Sequence, residues 1–142
     1  MTPHESDALI ARLPQRPPFL FVDVVDECVP AVRVHARYLV TGDEDFLRGH
    51  FPGNPIVPGV IILEALAQGA SLALATDPRY EGKLALFGGV EKARFRRVVR
   101  PGEELVLTAD VERLSARGGW SQVRASVNDE TVCEARLFFA IG

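Results

Sequence analysis

An apolar segment at residues 59–76 constrains the fold of this chain more than any other feature. The segment is built largely of Ala, Leu and Ile without proline, and Thr76-Asp77-Pro78 ends it, which predicts a helix. Because it is apolar on nearly all sides, the helix is expected to be buried rather than to lie on a surface. One carboxylate, Glu64, stands inside it, and a charged group in apolar surroundings requires an explanation.

The remainder of the chain predicts mainly strands. Residues 19–25 form an apolar run, and residues 32–40 alternate apolar and polar side chains, as half-exposed strands do. Turn sequences separate four more candidate strands: 84–95, 104–114, 120–128 and 131–141. A short helix over 6–13, with Ser6 as its N-cap, precedes them all. One buried helix among five or six strands predicts a single α+β domain over residues 1–142, with an antiparallel sheet wrapped around the helix.

Composition excludes several classes of protein. The net charge of -3 argues against a general nucleic-acid binder. The N-terminus lacks the apolar core of a signal peptide, and the apolar run is too short to span a bilayer, so we expect a soluble cytoplasmic protein without membrane insertion. Cys28 and Cys133 are expected to be buried free thiols rather than a disulfide. No Cys/His spacing suggests a metal site.

A histidine and an acid are the candidates for chemistry. Glu64, Gln68 and Ser71 share one helix face at i, i+4 and i+7. Burial would raise the pKa of Glu64 and suit it to act as a general acid, although a structural acid satisfied by arginine or backbone groups is also compatible with the pattern. His50 lies in the loop 49–59, which three prolines and several glycines restrict; alone it could simply make a local hydrogen bond. Together the two groups suggest an enzyme that moves protons near neutral pH.

Two further features could bind charged groups. Pro58-Gly59 opens the helix, so free N–H groups at Gly59 could hold an oxyanion, although the pair could equally just start the helix. Five cations also occur within nine residues of an acidic chain. They suit either a docking patch for an acidic partner or phosphate group, or a solvated strand face with ion pairs. These cations are Lys92, Arg94, Arg96, Arg97 and Arg100.

The motifs resemble those of a known family. The segment Gly49-His50-Phe51-Pro52-Gly53-x-Pro55-x-x-Pro58-Gly59-Val60-x-x-x-Glu64-Ala65-x-Ala67-Gln68 is similar to the active-site segment of the bacterial (3R)-hydroxyacyl-acyl-carrier-protein dehydratases of type II fatty acid synthesis. The likeness extends upstream over residues 13–23 (Leu13-Pro14-x-Arg16-x-Pro18-Phe19-Leu20-x-Val22-Asp23) and downstream over residues 89–102. It therefore covers nearly the whole chain.

This resemblance implies a hot-dog fold, in which a curved antiparallel sheet wraps a long central helix. It implies obligate homodimers, commonly assembled as trimers of dimers (hexamers), with active sites shared across the dimer interface. The implied reaction is elimination of water from a 3-hydroxyacyl thioester on acyl carrier protein, giving the trans-2-enoyl thioester, with no metal, nucleotide or redox cofactor. His50 would remove the C2 proton, the partner's Glu64 would protonate the leaving hydroxyl, Gly59 would hold the thioester carbonyl and Gln68 would orient the acid.

Further details follow from the resemblance. Glu64, rather than aspartate, indicates the compact branch that does not isomerise the double bond, and the cationic segment would dock the carrier protein. Gln15 and Asn54 stand where many members have histidine. Ala85 and Leu86 replace a tyrosine pair that gates the acyl tunnel, so gating and chain-length preference stay open. Three alternatives also stay open: a hot-dog thioesterase acting on acyl-coenzyme A, a non-catalytic acyl-binding or assembly subunit, and a dehydratase of a polyketide or other specialised lipid pathway.

Overall fold

A computed structural model describes all 142 residues. Two helices are present, α1 (Pro3–Ile10) and α2 (Gly59–Ala75), with single turns of 3-10 helix at Asp45–Leu47 and Pro78–Tyr80. The strands are β1 (Val24–Val29), β2 (Arg33–Leu39), β3 (Ala85–Phe95), β4 (Glu104–Ser115), β5 (Gly118–Val127) and β6 (Glu130–Ile141). These bounds confirm the predicted long helix and five of the predicted strands to within about two residues.

All six strands form one antiparallel sheet in the order β1-β2-β4-β5-β6-β3. Alternate side chains of β4, namely Leu105, Leu107 and Ala109, are buried against α2, while their neighbours face outward. This alternation is what an antiparallel sheet with one covered face requires. The predicted α+β hot-dog architecture, with six strands and one long buried helix, is confirmed.

Small side chains allow α2 to lie close to the sheet. Eleven of its 17 residues are buried, and six of these are Ala, Gly or Ser. A side-chain carbon at Gly69 would meet the Leu107 side chain at 3.9 Å, ordinary van der Waals contact. The helix ends at Thr76, whose hydroxyl donates to the Leu72 carbonyl.

The N-terminal region differs from the prediction. The helix covers Pro3–Ile10 rather than 6–13, because Thr2 and Glu5 form a capping box at its start. Ser6, the predicted N-cap, is buried and accepts a hydrogen bond from the Val25 N–H at 2.8 Å. The strand predicted at 19–25 was also misplaced: β1 begins only at Val24.

Cys28 and Cys133 are both free, as predicted, but only Cys133 is buried; Cys28 is half-buried. Neither helix combines the length and the apolar character needed to cross a membrane.

Candidate active site

Gln68 is held by three hydrogen bonds that determine the orientation of its amide. Its Oε1 accepts from the Phe21 N–H at 2.8 Å, and its Nε2 donates to the Phe19 carbonyl at 3.0 Å. A backbone N–H can only donate and a carbonyl can only accept, so the amide cannot be turned over. Nε2 therefore faces Glu64 and donates to Glu64 Oε2 at 2.8 Å. These contacts confirm the spacing argument that places the two side chains on one helix face.

Glu64 has the environment of a general acid. Burial raises the pKa of its carboxyl above the ordinary value, and the hydrogen bond from Gln68 opposes this increase in part. No positive side chain pairs with it within 4.0 Å, so it is not a structural ion pair. Only Oε2 has a hydrogen-bond partner, which leaves Oε1 free for a ligand. A carboxyl with a raised pKa and a free oxygen can deliver a proton.

The loop before α2 holds His50 by reciprocal bonds with Ile56. The Ile56 N–H donates to the His50 carbonyl at 2.8 Å, and His50 Nδ1 lies 2.8 Å from the Ile56 carbonyl oxygen. The imidazole is half-buried and stacks on the Phe51 ring with centroids 4.3 Å apart. The ring is thus fixed on two sides.

The Ile56 contact also selects the tautomer of His50. A carbonyl oxygen only accepts, so Nδ1 must carry a proton and donate it. In the neutral imidazole the lone pair then resides on Nε2, which has no hydrogen-bond partner within the subunit. Nε2 is available as a base.

The start of α2 offers free backbone donors. The N–H groups of Gly59 and Val60 make no backbone hydrogen bond, as expected for the first turn of a helix. A side-chain carbon at Gly59 would lie only 2.8 Å from the Phe95 ring, so this half-exposed ring would have to turn aside for any larger residue. The predicted role in holding a carbonyl oxygen is compatible with this geometry, and Phe95 supplies a separate reason for the glycine.

His50 and Glu64 do not meet within this chain. No imidazole nitrogen of His50 lies within 4.0 Å of a Glu64 oxygen, and only Glu64 lines the pocket described next. Within the subunit the structure brings together Glu64 and Gln68, and it leaves His50 with its own loop.

A small pocket, with a cavity volume of about 70 Å³, runs beside the polar face of α2. Complete small-molecule sites usually enclose roughly 300–1,000 Å³, so this pocket is only part of the space that such a site needs. Glu64 lies along one wall, and Leu74, Phe87 and Phe139 supply much of the apolar lining. Ala85 also lines the pocket, whereas its neighbour Leu86 is exposed and does not. Sequence analysis did not find this pocket, because its lining residues come from segments far apart in the chain.

The five cations of the 92–100 segment separate into two groups. Arg96 pairs with Glu134, and Arg97 pairs with both Glu103 and Glu130. The other three have no acidic partner within 4.0 Å: Lys92, Arg94 and Arg100. The ion-pair interpretation therefore holds for Arg96 and Arg97, whereas docking of an acidic partner stays a prediction for the other three cations.

Metal binding has no obvious location, since no three His, Cys, Asp or Glu side chains converge.

Comparison with known proteins gives concordant matches. A family model described as "FabA-like domain" matches residues 13–136. A 3-hydroxyacyl-[acyl-carrier-protein] dehydratase FabZ of Chloroflexus aggregans is 50% identical over 133 residues, covering 94% of this chain and 92% of that protein. The FabZ of Enterococcus faecalis is 47% identical, covering 92% of each.

Solved structures match in fold. The dehydratase heterocomplex ApeI:P from Xenorhabdus doucetiae superposes with a TM-score of 0.77 at 17% identity, covering 94% of this chain and 90% of that one. Cj0977, a sigma28-regulated virulence protein from Campylobacter jejuni, gives a TM-score of 0.75 at 14% identity, covering 99% and 92%. At these identities the structural matches support the fold alone. The extent of the sequence matches decides the family: this chain belongs to the FabA-like family, among the FabZ dehydratases.

Proposed function

We propose that this protein eliminates water from (3R)-hydroxyacyl thioesters carried on acyl carrier protein, giving trans-2-enoyl thioesters for fatty acid elongation. The observation that carries the proposal is the half-buried Glu64, whose pKa is raised by burial and whose carboxyl is oriented by Gln68. The FabZ relatives, whose names state this activity, support the same assignment.

The proposed chemistry uses one base and one acid. Nε2 of His50 takes a proton from C2 of the substrate, and the thioester oxygen gains negative charge beside the Gly59 N–H. The bond between C3 and its hydroxyl then breaks, and protonated Glu64 gives its proton to the departing oxygen, which leaves as water. The proton on His50 must return to Glu64 or solvent before the next turnover. No redox or metal step is needed for this elimination.

The sheet edge supports a homodimer with shared sites. β3 is an edge strand of 11 residues, and its outer edge has no neighbouring strand. Long exposed edges with apolar side chains pair with other chains. Several exposed apolar side chains lie on β3 and at the start of α2, including Phe87, Val90, Phe95 and Val60, the last 70% exposed. Pairing two copies along β3 would cover this surface and bring His50 of one subunit towards Glu64 of the other.

The cations without acidic partners are our candidates for docking the carrier protein. Lys92, Arg94 and Arg100 make no ion pair, although Glu134 stands opposite Arg94 in the sheet. Arg96 and Arg97 are engaged in ion pairs. Charge reversal at Arg94 should therefore raise the KM for carrier-bound substrates, with little effect on an uncharged N-acetylcysteamine thioester. Arg117, in the turn after β4, is a matched exposed control. Equal changes at Arg94 and Arg117 would reject this docking site.

Hydration of crotonyl thioesters, the reverse reaction, tests the assignment directly. His50→Ala and Glu64→Gln should each abolish hydration while the oligomer, measured by light scattering, stays intact. Release of free thiol should stay absent in the wild type, which separates a dehydratase from a thioesterase. Near-normal hydration in either variant would contradict the proposed roles.

A further inference from the structure

Arg100 joins a charged surface to the His50 loop. Its Nη1 donates to Asn54 Oδ1 at 2.7 Å, across 46 residues of sequence. A neutral amide does not cancel the guanidinium charge, and no carboxylate oxygen lies within 4.0 Å of the guanidinium nitrogens. A guanidinium has about five N–H donors, and this bond uses one of them. Arg100 is exposed, so the remaining donors can reach an anion.

Asn54 in turn is bonded to the residue after His50. The Phe51 N–H donates to the Asn54 carbonyl at 3.2 Å, and the Asn54 N–H donates to the Phe51 carbonyl at 2.9 Å. This small turn is otherwise exposed, and a side-chain carbon at Gly53 would meet nothing within 4 Å. The side chain of Asn54 therefore provides the turn with a contact to the body of the protein.

The segment that carries Arg100 is itself rigid. Val99 is fully buried and its carbonyl accepts from the Val57 N–H at 2.8 Å. Glu103 accepts from the Arg100 N–H at 2.9 Å while it also binds Arg97. The backbone beneath Arg100 is thus fixed, and only its side chain is free to respond to an anion.

We infer that Arg100 binds the anionic group that accompanies the thioester and, through Asn54, is a positioning residue for His50. A guanidinium suits an oxyanion because it can donate two parallel hydrogen bonds. An anion that fixes the Arg100 side chain also fixes its bond to Asn54, and so orders the loop that presents the imidazole. Misplacing a reacting group by about 1 Å can cost on the order of a hundredfold in rate, so the effect should be measurable. This inference rests on the proposed function and deepens it.

Two substitutions at Asn54 separate charge from positioning. Asn54→Asp keeps the contact with Arg100 but neutralises its charge, so the loss should fall on the KM for anionic substrates. Asn54→Ala breaks the contact but leaves the charge free, so the loss should fall on kcat for every substrate, including the uncharged N-acetylcysteamine thioester. The change in KM for Asn54→Asp and the change in kcat for Asn54→Ala should each be roughly tenfold, or about 1.4 kcal/mol. Arg100→Gln should produce both losses, and Arg117→Gln neither.

Substrates that carry different anions show which anion Arg100 binds. If Asn54→Asp changes the KM for a 4′-phosphopantetheine thioester, the anion is the phosphate of the phosphopantetheine arm by which the carrier protein holds the acyl group. A change confined to the carrier-bound substrate identifies acidic side chains on the carrier protein. If both Asn54 variants alter KM and kcat in the same ratio, or match Arg117→Gln, the inference is overturned.

Hydrogen exchange gives a readout that does not depend on turnover. In the wild type, binding of phosphopantetheinylated carrier protein should slow amide exchange over residues 49–58, and Asn54→Ala should remove that protection. Slowing that persists in Asn54→Ala overturns the inference even if the enzyme is active. A wild type that binds the carrier with protection but hydrates no thioester instead refutes the proposed function.

Discussion

Replacing Gln68 by methionine tests how the site is held together. Methionine has nearly the same length and volume, so it fills the space of Gln68 but makes none of its three hydrogen bonds. The Phe21 N–H, in a residue only 2% exposed, would lose its partner, at a cost of roughly 1–3 kcal/mol. The Phe19 carbonyl is partly buried, and the loss of its hydrogen bond would add about 1 kcal/mol to this cost.

The expected total is a loss of about 2–4 kcal/mol in the free energy of unfolding, a large fraction of the roughly 5–15 kcal/mol typical of a whole domain. Urea unfolding at one fixed protein concentration measures this loss, because the stability of the proposed homodimer would depend on concentration. Gln122→Met is the matched control: Gln122 is exposed and makes one side-chain hydrogen bond, to Glu112 at 2.6 Å. It should lose no more than about 0.5 kcal/mol.

Gln68→Met has a second expected effect, on catalysis. The hydrogen bond from Gln68 lowers the pKa of Glu64, so its removal should raise that pKa further and move the limb of the pH-rate profile that reports the acid to higher pH. Equal stability losses in Gln68→Met and Gln122→Met, together with an unmoved pH-rate profile, would refute the argument that Gln68 orients the acid.

Three other substitutions have definite expected outcomes. Burial raises the pKa of the Glu64 carboxyl above 4.5, so protonation of this group stabilises the folded state below pH 4.5, and this stabilisation is lost as pH rises through the folded-state pKa. Glu64→Gln should therefore gain stability relative to the wild type as pH rises. Denaturant midpoints of both proteins across pH 3–8 measure this difference. Gly59→Ala should displace the half-exposed Phe95 ring and lose no more than about 1 kcal/mol, and Phe95→Leu should relieve that loss in a double-mutant cycle; full additivity would contradict the packing argument. Ala85→Phe should fill part of the pocket and reduce kcat/KM for long acyl chains more than for crotonyl substrates, and an equal reduction would exclude the pocket as the acyl site.

Local patterns predicted the central helix and most strands because those patterns agree with the tertiary structure. The helix α2 is apolar on almost every side, and β4 alternates along its length, so neither allows a second assignment. The strand predicted at 19–25 failed because the Phe21 N–H bonds to Gln68, 47 residues away, instead of to a neighbouring strand. A contact of that kind leaves no trace in local sequence.

In the candidate site, too, local contacts could be predicted from the sequence and long-range contacts could not. The spacing of Glu64 and Gln68 on one helix turn predicted their contact, since i and i+4 side chains are neighbours on any helix. The bond from Arg100 to Asn54 depends on how two loops approach in space, and the sequence holds no local signal for it. The sequence likewise holds no local signal for which cations of the 92–100 segment form ion pairs, because distant strands supply the carboxylates.

The central claim is that each active site combines His50 of one subunit with Glu64 of the other, and mixed dimers test it most directly. His50→Ala and Glu64→Gln proteins, each inactive alone, are unfolded together in equal amounts and refolded. About half of the dimers should then be hybrids with one intact site of two, so crotonyl thioester hydration should return to about a quarter of the wild-type rate. If each subunit instead holds a complete site, no hybrid contains an intact pair, and the mixture should stay as inactive as its components.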